Sequence, residues 1–255
     1  MPRPARLPRA FLRTPIAHRG LHDSDRVENG ASAVRAAAEA GYGVEIDVRL
    51  SADGQPVVFH DATLERLTGR RDPVTALSAA ELTRVPLMGS EECIPMLDDI
   101  LAAVAGNVPL LVEIKDPTGT MGETDGRLER AVAATLSVYS GPLAVMSFNP
   151  HIVAGMAEAT PDVPRGLTTD AFDAADWPSV PEPVLERLRS IDVDAAGATF
   201  VSHDWRRLGM SGLAALREQG VPILSWTVRS PAEETRARQL CDNVTFENYL
   251  PRLRG

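Results

Sequence analysis

The sequence predicts an α/β fold, a distorted (β/α)8 TIM barrel with an antiparallel hairpin after its second strand. Short apolar, strand-like runs alternate with helical segments along the chain, which is the pattern of repeated βα units. The length of 255 residues suits one such barrel, since these commonly need about 250 residues. Several strand-like runs also end in charged side chains, and barrel enzymes carry their sites at these strand ends. We therefore expect one domain over residues 1–255, with its core at about residues 16–250.

Nine runs are rich in β-branched and aromatic residues and are predicted as strands. They cover residues 16–20, 44–48, 57–61, 110–115, 143–148, 164–169, 198–203, 222–228 and 243–249. The second run extends to Leu50 and the third begins at Pro56, so only residues 51–55 are left for a connection, too few for the helical crossover that parallel strands need. Asp53-Gly54 in this gap is a hairpin signal, so we expect the third run to return antiparallel to the second. Eight strands then remain for the barrel, and His60 comes to about the level of Glu45 and Asp47.

Three predicted helices have clear start signals. Asn29 precedes an alanine-rich segment as a candidate N-cap, and Pro150 opens another helix. Ser230 is followed three residues later by Glu233, the spacing of a capping box, with proline at the first helical position. Gly41 stands where the first of these helices should end.

Composition restricts the classes of function. A formal net charge of −9 argues against binding to nucleic acid or to anionic membranes, since both need clustered lysine and arginine. No run approaches the roughly 20 apolar residues that span a bilayer, so we expect no stable membrane insertion. The N-terminal segment contains four prolines and lacks a secretory apolar core, which predicts a cytoplasmic protein. Cys93 and Cys241 are far apart in sequence and are expected to be buried, reduced thiols.

Alternation along two predicted strands places three carboxylates together. Glu45 and Asp47 share one face of the second strand, and Glu113 has the same orientation in the fourth run. Three carboxylates in one small volume repel each other unless a cation balances them. An all-oxygen ligand set favours a hard divalent cation, Mg²⁺ or Ca²⁺. The alternative is an ion-pair network of these residues with Lys115 and Arg49.

Charge arithmetic indicates the substrate class. Three carboxylates, a divalent cation, Lys115 and Arg19 sum to about +1, which suits the single negative charge of a phosphodiester. Arg19 offers a planar fork for two phosphate oxygens and Lys115 a point charge, although both also suit structural salt bridges. His18 and His60 can flank the phosphorus, one as a base and the other as an acid.

Six short motifs follow one another along the chain. They are His18-Arg19-Gly20, Glu28-Asn29, Glu45 with Asp47, His60-Asp61, Glu113 with Lys115, and Ser-Trp-Thr-Val around Trp226. Together they resemble the glycerophosphodiester phosphodiesterases, over about residues 16–249. The resemblance implies a metal-dependent phosphodiesterase with a distorted TIM barrel, similar to the phosphoinositide phospholipases C. Its partners would be small glycerophosphodiesters such as glycerophosphocholine or glycerophosphoethanolamine, converted through a cyclic phosphate to glycerol 3-phosphate and an alcohol.

The resemblance also implies a role for each matched residue. The divalent cation would be held by Glu45, Asp47 and Glu113, and the acid and base would be His18 and His60. The phosphate would be contacted by Arg19 and Lys115, and the substrate pocket would be lined by Trp226 and Phe148.

Two departures from the family pattern leave substrate preference open. Gly30 stands where the family often has threonine, and Glu247-Asn248 stands where the last strand commonly ends in a Thr-Asp or Thr-Asn pair before proline. The sequence leaves the roles of Glu28, Asn29 and Glu247 open. Residues 62–94, where some members carry an insertion, are few and interrupted by proline, so we expect no large lid domain.

Several assignments have alternatives. The three other histidines are expected at the surface or at loop ends; they are His22, His151 and His203. Asp61 is expected to support His60 or to cap a turn, and Trp226 fits a core position as well as a pocket. A lysophospholipase D or sphingomyelinase D-like activity is one other function, and it would need an apolar ramp beside the site. A catalytically silent barrel that binds phosphodiesters is another, and the oligomeric state is open.

Overall fold

The computed structural model describes residues 5–253, so residues 1–4 of the N-terminal segment interpreted above lie outside the described part. Within this range nine strands follow the predicted runs. They are β1 (Ile16–Ala17), β2 (Gly43–Leu50), β3 (Pro56–Val58), β4 (Leu110–Ile114), β5 (Leu143–Ser147), β6 (Arg165–Thr169), β7 (Phe200–Asp204), β8 (Ile223–Val228) and β9 (Asn243–Phe246). Each predicted strand is present, although β1 has only two residues.

Eight of these strands form a closed parallel barrel. Their order around the ring is β1, β2, β4, β5, β6, β7, β8 and β9, and β9 pairs with β1 again. The remaining strand, β3, pairs antiparallel with the end of β2 and places Val58 opposite Val48. The predicted hairpin and the distorted (β/α)8 barrel are therefore confirmed.

Helices connect the strands around the outside of the barrel. They are α1 (Ala10–Arg13), α2 (Ala31–Glu39), α3 (Glu65–Thr68), α4 (Ala79–Leu82), α5 (Leu97–Val104), α6 (Arg127–Leu136), α7 (Pro150–Ala159), α8 (Glu182–Leu188), α9 (Val193–Ala196), α10 (Ser211–Glu218) and α11 (Pro231–Ala237). Pro150 begins α7, and the Ser230 hydroxyl caps α11, as predicted. The N-cap of α2 is Gly30, so the prediction that Asn29 caps this helix is wrong.

The barrel interior has two halves of different chemistry. Toward the N-terminal ends of the strands it is apolar, and Leu111 and Phe200 pack there against Phe11 of α1, which covers this end. Gly166 of β6 is needed in this half because a β-carbon would lie 2.3 Å from the Phe200 ring. The outward side chains of β2 and β4 pack against the surrounding helices in a second apolar layer. The polar half, at the C-terminal ends of the strands, is where the predicted site residues lie.

The segment between β3 and α5 forms a thin layer over the hairpin. It contains α3 and α4 and has its own apolar cluster around Phe59, Leu64 and Leu82. Within residues 5–253 this layer is all that lies between the hairpin and α5, which agrees with the expectation of no large lid domain.

The structure also bears on the expectations for the cysteines and for membrane insertion. Cys93 and Cys241 are free thiols, as expected, but each is half-buried rather than buried. None of the helices in residues 5–253 combines the length and the apolar character needed to cross a membrane.

Candidate active site

Three carboxylates converge inside the C-terminal end of the barrel. Glu45 and Asp47 alternate with apolar residues on β2, and Glu113 lies on β4 directly opposite Asp47. Because side chains alternate between the two faces of a strand, all three point inward while their neighbours pack on the helices. One oxygen from each carboxylate lies within 4.8 Å of the other two. We call these three residues the carboxylate cluster.

The carboxylate cluster fits a divalent cation. Glu45 Oε1 is buried and has no hydrogen-bond partner. Burial, together with the charges of Asp47 and Glu113, raises the pKa of Glu45 well above its ordinary value. Burial also raises the pKa of Glu113. The cluster therefore lacks positive charge, and carboxylate oxygens are the ligands that Mg²⁺ and Ca²⁺ prefer.

Lys115 and Arg19 supply part of the missing positive charge. Lys115 Nζ lies 2.7 Å from Asp47 Oδ1 and also contacts Glu113 Oε1. Arg19 Nε lies 3.1 Å from Asp47 Oδ2. Although burial opposes ionisation, Lys115 and Arg19 hold the pKa of Asp47 well below its ordinary value. The ion pairs considered in the sequence analysis are thus present for Lys115, at the same carboxylates that would hold a cation.

His18 follows β1 and reaches the carboxylate cluster with one ring nitrogen. Its Nε2 lies 4.0 Å from Glu45 Oε2, and its Nδ1 lies 2.7 Å from Glu247 Oε2. Glu247 follows β9, the strand that pairs with β1, so closure of the barrel brings the two residues together. The hydrogen bond to His18, with His22 nearby and the charge of Arg229, holds the pKa of Glu247 far below its ordinary value. Glu247 therefore fixes the His18 ring with Nε2 toward the cluster.

His60 enters the site from the hairpin. Its Nδ1 lies 2.6 Å from Asp61 Oδ1, so Asp61 supports this ring as Glu247 supports the other. Arg49, the second cation considered for an ion-pair network, donates from Nε to the His60 carbonyl at 2.8 Å. Burial, and after it the charge of Lys115, lowers the pKa of His60 to about 4. His60 is consequently neutral at pH 7, with Nε2 free for proton transfer.

A chain of ion pairs joins Arg19 in the first loop to Asp61, the carboxylate that supports His60. Arg66 donates from Nε to Asp61 Oδ2 at 2.6 Å, and from Nη2 to Glu28 Oε1 at 2.7 Å. The same Glu28 oxygen accepts from Arg19 Nη1 at 2.8 Å. Glu28 thus holds Arg19 beside the carboxylate cluster and ties the first loop to α3.

Asn29 lies inside the site rather than at a helix cap. Its Nδ2 donates to Asp47 Oδ2 at 2.9 Å, and its Oδ1 accepts the Asp47 backbone N–H at 3.1 Å. Its φ of 61° is a left-handed value, which asparagine tolerates better than most residues. Gly20, with φ of 80°, lets this loop pass close to α2, since a β-carbon there would lie 2.6 Å from the Ala33 carbonyl carbon.

The sequence model of the glycerophosphoryl diester phosphodiesterase family matches residues 18–245, which include the carboxylate cluster and both histidines. The chain belongs to this family. Among curated members, human glycerophosphodiester phosphodiesterase 1 is 31% identical over 164 residues, covering 60% of this chain and 48% of the human protein. The chain thus spans about half the length of this relative. A glycerophosphodiester phosphodiesterase of Bacillus subtilis is 20% identical over 228 residues, covering 81% of this chain and 73% of the relative.

Solved structures of the family share the fold. A phosphodiesterase from Oleispira antarctica, in complex with the product sn-glycerol-3-phosphate, matches with a TM-score of 0.75 and 24% identity over 94% of both chains. The glycerophosphodiester phosphodiesterase of Thermotoga maritima matches with a TM-score of 0.69 and 24% identity, over 91% of this chain and 94% of that one. These similarities support the TIM-barrel assignment.

In this member of the glycerophosphodiester phosphodiesterase family, aromatic side chains form one wall of the barrel mouth. The Phe148 ring lies 5.5 Å from the Trp226 ring and 5.1 Å from the Trp177 ring, between centroids. The Nε1 atom of Trp226 donates to the Ser202 carbonyl at 3.0 Å. Trp226 and Phe148 are only half-buried, so both lie at the opening and not in the apolar half of the barrel.

Two clefts adjoin this aromatic wall. A polar cleft of about 480 Å³ opens beside Trp226 and is lined by four aspartates and two arginines. An apolar cleft of about 430 Å³ lies beside Phe148, between α7 and α8, and includes Ala154 and Leu188 in its lining. The aromatic wall therefore borders one polar and one apolar space, through Trp226 and Phe148 respectively.

Two histidines have surroundings that the sequence analysis missed. His22, expected only as a surface or loop residue, places Nε2 3.7 Å from Glu247 Oε2, beside His18. The spacing of four residues between His18 and His22 was the available signal. His203, also expected at the surface or a loop end, is fully buried on β7, and its Nδ1 lies 2.7 Å from the Thr169 hydroxyl. His151 is exposed on α7, as expected.

Proposed function

We propose that this protein hydrolyses small glycerophosphodiesters, such as glycerophosphocholine or glycerophosphoethanolamine, to glycerol 3-phosphate and an alcohol. The observation that carries the proposal is the pair His18 and His60, each with Nδ1 on a carboxylate and each near the carboxylate cluster. A metal or phosphate sensor has no need for two rings oriented in this way. The sn-glycerol-3-phosphate bound to the Oleispira antarctica relative supports the same reaction.

Glu45, Asp47 and Glu113 are the proposed ligands of one divalent cation, Mg²⁺ or Ca²⁺. When bound there, the cation would supply positive charge to the phosphoryl oxygens and to the attacking hydroxyl. Asn29 and Lys115 hold Asp47 from different sides and so keep its carboxylate directed into the cluster. These contacts orient the proposed ligands but do not satisfy every carboxylate oxygen, since Glu45 Oε1 has no hydrogen-bond partner.

Arg19 and Lys115 are the proposed phosphate contacts. The guanidinium of Arg19 is held by Glu28 and Asp47 at the mouth of the barrel, where it can turn a donor toward a phosphate oxygen. Lys115 lies between two carboxylates and brings a single positive charge to the floor of the site. Together they stabilise the negative charge that develops on the phosphoryl oxygens during displacement.

His18 and His60 are the proposed acid and base. A glycerol hydroxyl attacks the phosphorus, and the bond from phosphorus to the alcohol oxygen breaks. One histidine accepts the hydroxyl proton at Nε2, while the other donates a proton to the leaving alcohol. A water molecule then opens the cyclic phosphate with the two roles reversed. Glu247 and Asp61 keep each ring oriented and stabilise its protonated form.

Trp226 and Phe148 are proposed to line the pocket for the substrate arms. Their half-buried rings can cover the carbon chain of glycerol or of the alcohol, which shields the reacting centre from water. We further propose that the protein acts in the cytoplasm on small molecules, in glycerol and lipid head-group metabolism.

The test is release of glycerol 3-phosphate from glycerophosphocholine by the purified protein, before and after EDTA and with Mg²⁺ or Ca²⁺ added back. We expect release that EDTA abolishes and one of the cations restores. His18→Ala and His60→Ala should abolish turnover and retain cation affinity, whereas Glu113→Gln should weaken cation binding in calorimetric titration. Absence of product from every head group tested, with cation binding intact, would support the silent phosphodiester-binding barrel instead.

A second candidate function is hydrolysis of a lysophospholipid, favoured by the apolar cleft beside Phe148. A phosphodiester held at the carboxylate cluster would extend one arm past Phe148 toward Ala154 and Leu188. A lysolipid acyl chain is the apolar group that such a cleft would accept.

This second candidate is tested with Ala154→Phe, which narrows the cleft and leaves the carboxylate cluster, Arg19 and Lys115 unchanged. If the cleft binds an acyl chain, the variant should raise the Michaelis constant for lysophosphatidylcholine at least tenfold and leave that for glycerophosphocholine unchanged. The matched control is Ala159→Phe at the exposed end of α7. Equal effects on both substrates, or no hydrolysis of the lysolipid by the unmodified protein, would reject the candidate.

A further inference from the structure

A group of nitrogen and oxygen atoms lies at the mouth of the barrel next to the carboxylate cluster. It consists of His18 Nδ1, His22 Nε2 and Glu247 Oε2, which all lie within 4.8 Å of one another. None of the three residues is fully exposed, and their side-chain exposures are 15%, 21% and 12%. We call these three residues the His-His-Glu group.

Two features of the chain bring the His-His-Glu group together. His18 and His22 are four residues apart on either side of the tight turn at Gly20, so both rings face the same side of the first loop. Glu247 arrives from the far end of the chain, because β9 pairs with β1 and continues directly past His18. The group therefore exists only in the closed barrel.

Two imidazoles and one carboxylate form a ligand set for a borderline transition metal, of which Zn²⁺ is the common case. Zinc bonds to nitrogen and oxygen are about 2.0–2.2 Å long, which puts neighbouring ligand atoms of a tetrahedral site about 3.3 Å apart. Glu247 Oε2 lies 2.7 Å from His18 Nδ1 and 3.7 Å from His22 Nε2. These two distances bracket the required spacing, and the third pair, His18 Nδ1 and His22 Nε2, lies within 4.8 Å, so shifts of about 1–1.5 Å would seat the ion.

The other contacts of these residues leave the three atoms available. Glu247 uses its second oxygen, Oε1, to accept from Arg229 Nε at 2.6 Å. This contact orients the carboxylate with Oε2 toward the histidines. His22 Nε2 is buried and has no hydrogen-bond partner, although it lies near a carboxylate. A ligand in this position would satisfy a nitrogen that the protein itself leaves unpaired.

We propose that the His-His-Glu group is a second metal site, selective for Zn²⁺ over Mg²⁺ and Ca²⁺, and that occupying it inhibits the enzyme. Inhibition follows because His18 belongs to both sites, with Nδ1 in one and Nε2 toward the other. An ion on Nδ1 replaces the proton there, withdraws Glu247 and prevents the ring from becoming the positively charged acid. The binding part stands on geometry alone, and the inhibition part rests on the proposed function.

Binding is tested with Co²⁺ as a coloured substitute for Zn²⁺, in the presence of saturating Ca²⁺. We expect one equivalent of Co²⁺ to give the visible absorption of a site with nitrogen ligands and fewer than six ligands, and Zn²⁺ to displace it. His22→Gln and Glu247→Gln should lose this absorption, whereas Glu113→Gln should keep it. A spectrum unchanged in His22→Gln, or no such absorption in the unmodified protein, would overturn the proposal.

Inhibition is tested by titrating Zn²⁺ into glycerophosphocholine hydrolysis supported by Mg²⁺ or Ca²⁺. His22→Gln should keep the turnover number and raise the Zn²⁺ concentration for half-inhibition at least tenfold. The matched control is His151→Gln, which changes an exposed histidine on α7 and should leave inhibition unchanged. Equal inhibition of both variants would overturn the shared-histidine mechanism. A Co²⁺ spectrum that behaves as expected in a protein that hydrolyses no phosphodiester would instead place the failure in the proposed function.

Discussion

Asn29 holds Asp47 by two hydrogen bonds, one to the carboxylate and one to the backbone. Its Nδ2 donates to Asp47 Oδ2 at 2.9 Å, and its Oδ1 accepts the Asp47 N–H at 3.1 Å. Both residues are nearly completely buried, so the amide group is shielded from competing water. The first loop thus fixes the position and the rotamer of a proposed metal ligand on β2.

Replacing Asn29 should therefore lower cation affinity and activity more than it lowers the stability of the fold. Asn29→Gly removes the amide and still tolerates the left-handed backbone at this position. We expect cation affinity or kcat/KM to fall about 10–100-fold, as for other residues that orient metal ligands. Calorimetric titration with Ca²⁺ and steady-state kinetics measure the two effects. Asn107→Gly, at the opposite end of the barrel, is the matched control, and equal values for both variants would contradict this role.

Glu247→Gln should lower the turnover number with little change in the Michaelis constant. Glutamine keeps a group near His18 Nδ1 but cannot stabilise the protonated ring, so the loss falls on proton transfer and not on substrate binding. A fall of about 10²–10⁴-fold is expected by analogy with other carboxylate–histidine pairs. Glu234→Gln, whose carboxylate pairs with Arg238 on α11, is the control. A loss confined to the Michaelis constant would make Glu247 a substrate contact.

Lys115 is the only lysine in the chain, which allows a chemical test of its role. Acetylation by an amine-selective reagent can modify just this side chain and the N-terminal amine. We expect modification of Lys115, located by peptide mass spectrometry, to abolish hydrolysis, because the product keeps no positive charge for phosphate. Glycerol 3-phosphate should slow the modification, and Lys115→Met should be inactive before any treatment. Modified protein with full activity would assign Lys115 to structure alone.

The acid stability of the protein should depend on His203. Burial lowers the pKa of this ring to about 4, whereas the unfolded chain has the ordinary value of about 6.5. The unfolded state therefore binds more protons below pH 6.5, so stability present above that pH is lost as the pH falls toward 4. The full effect is about 3 kcal/mol, from about 1.4 kcal/mol for each unit of difference.

His203→Gln should lose less stability than the unmodified protein between pH 6.5 and pH 4. Glutamine keeps a hydrogen-bonding group for the Thr169 hydroxyl but has no titrating ring. Urea unfolding at several pH values measures the difference, and His151→Gln serves as the exposed control. Identical pH dependence in all three proteins would show that His203 becomes protonated without unfolding.

The parts of the fold that sequence could predict are those with local causes. The hairpin follows from Asp53-Gly54 between two apolar runs, and the inward direction of Glu45 and Asp47 follows from alternation along one strand. These features depend on neighbours a few residues away. The residues proposed for metal binding and proton transfer are predictable for the same reason, since each ends or lies within a recognisable strand.

The features that sequence missed depend on contacts between distant parts of the chain. Asn29 has the composition of a helix cap, and only the approach of β2 shows that its amide serves Asp47 instead. The association of His22 with Glu247 requires β9 to pair with β1, which no local pattern specifies. The closing of the barrel floor by Phe11 depends on the completed ring in the same way.

The pairing of β1 with β9 also determines when this protein becomes active during folding. The contact between His18 and Glu247 spans 229 residues and forms across the last seam of the ring. Contacts this distant in sequence form late, because the intervening chain must lose conformational entropy before the contact contributes stabilising free energy. An intermediate with β2 to β8 assembled would already bring Glu45, Asp47 and Glu113 together, yet it would hold an unsupported His18. In refolding experiments cation binding should therefore return before turnover does, and the interval between them would time the closure of the barrel.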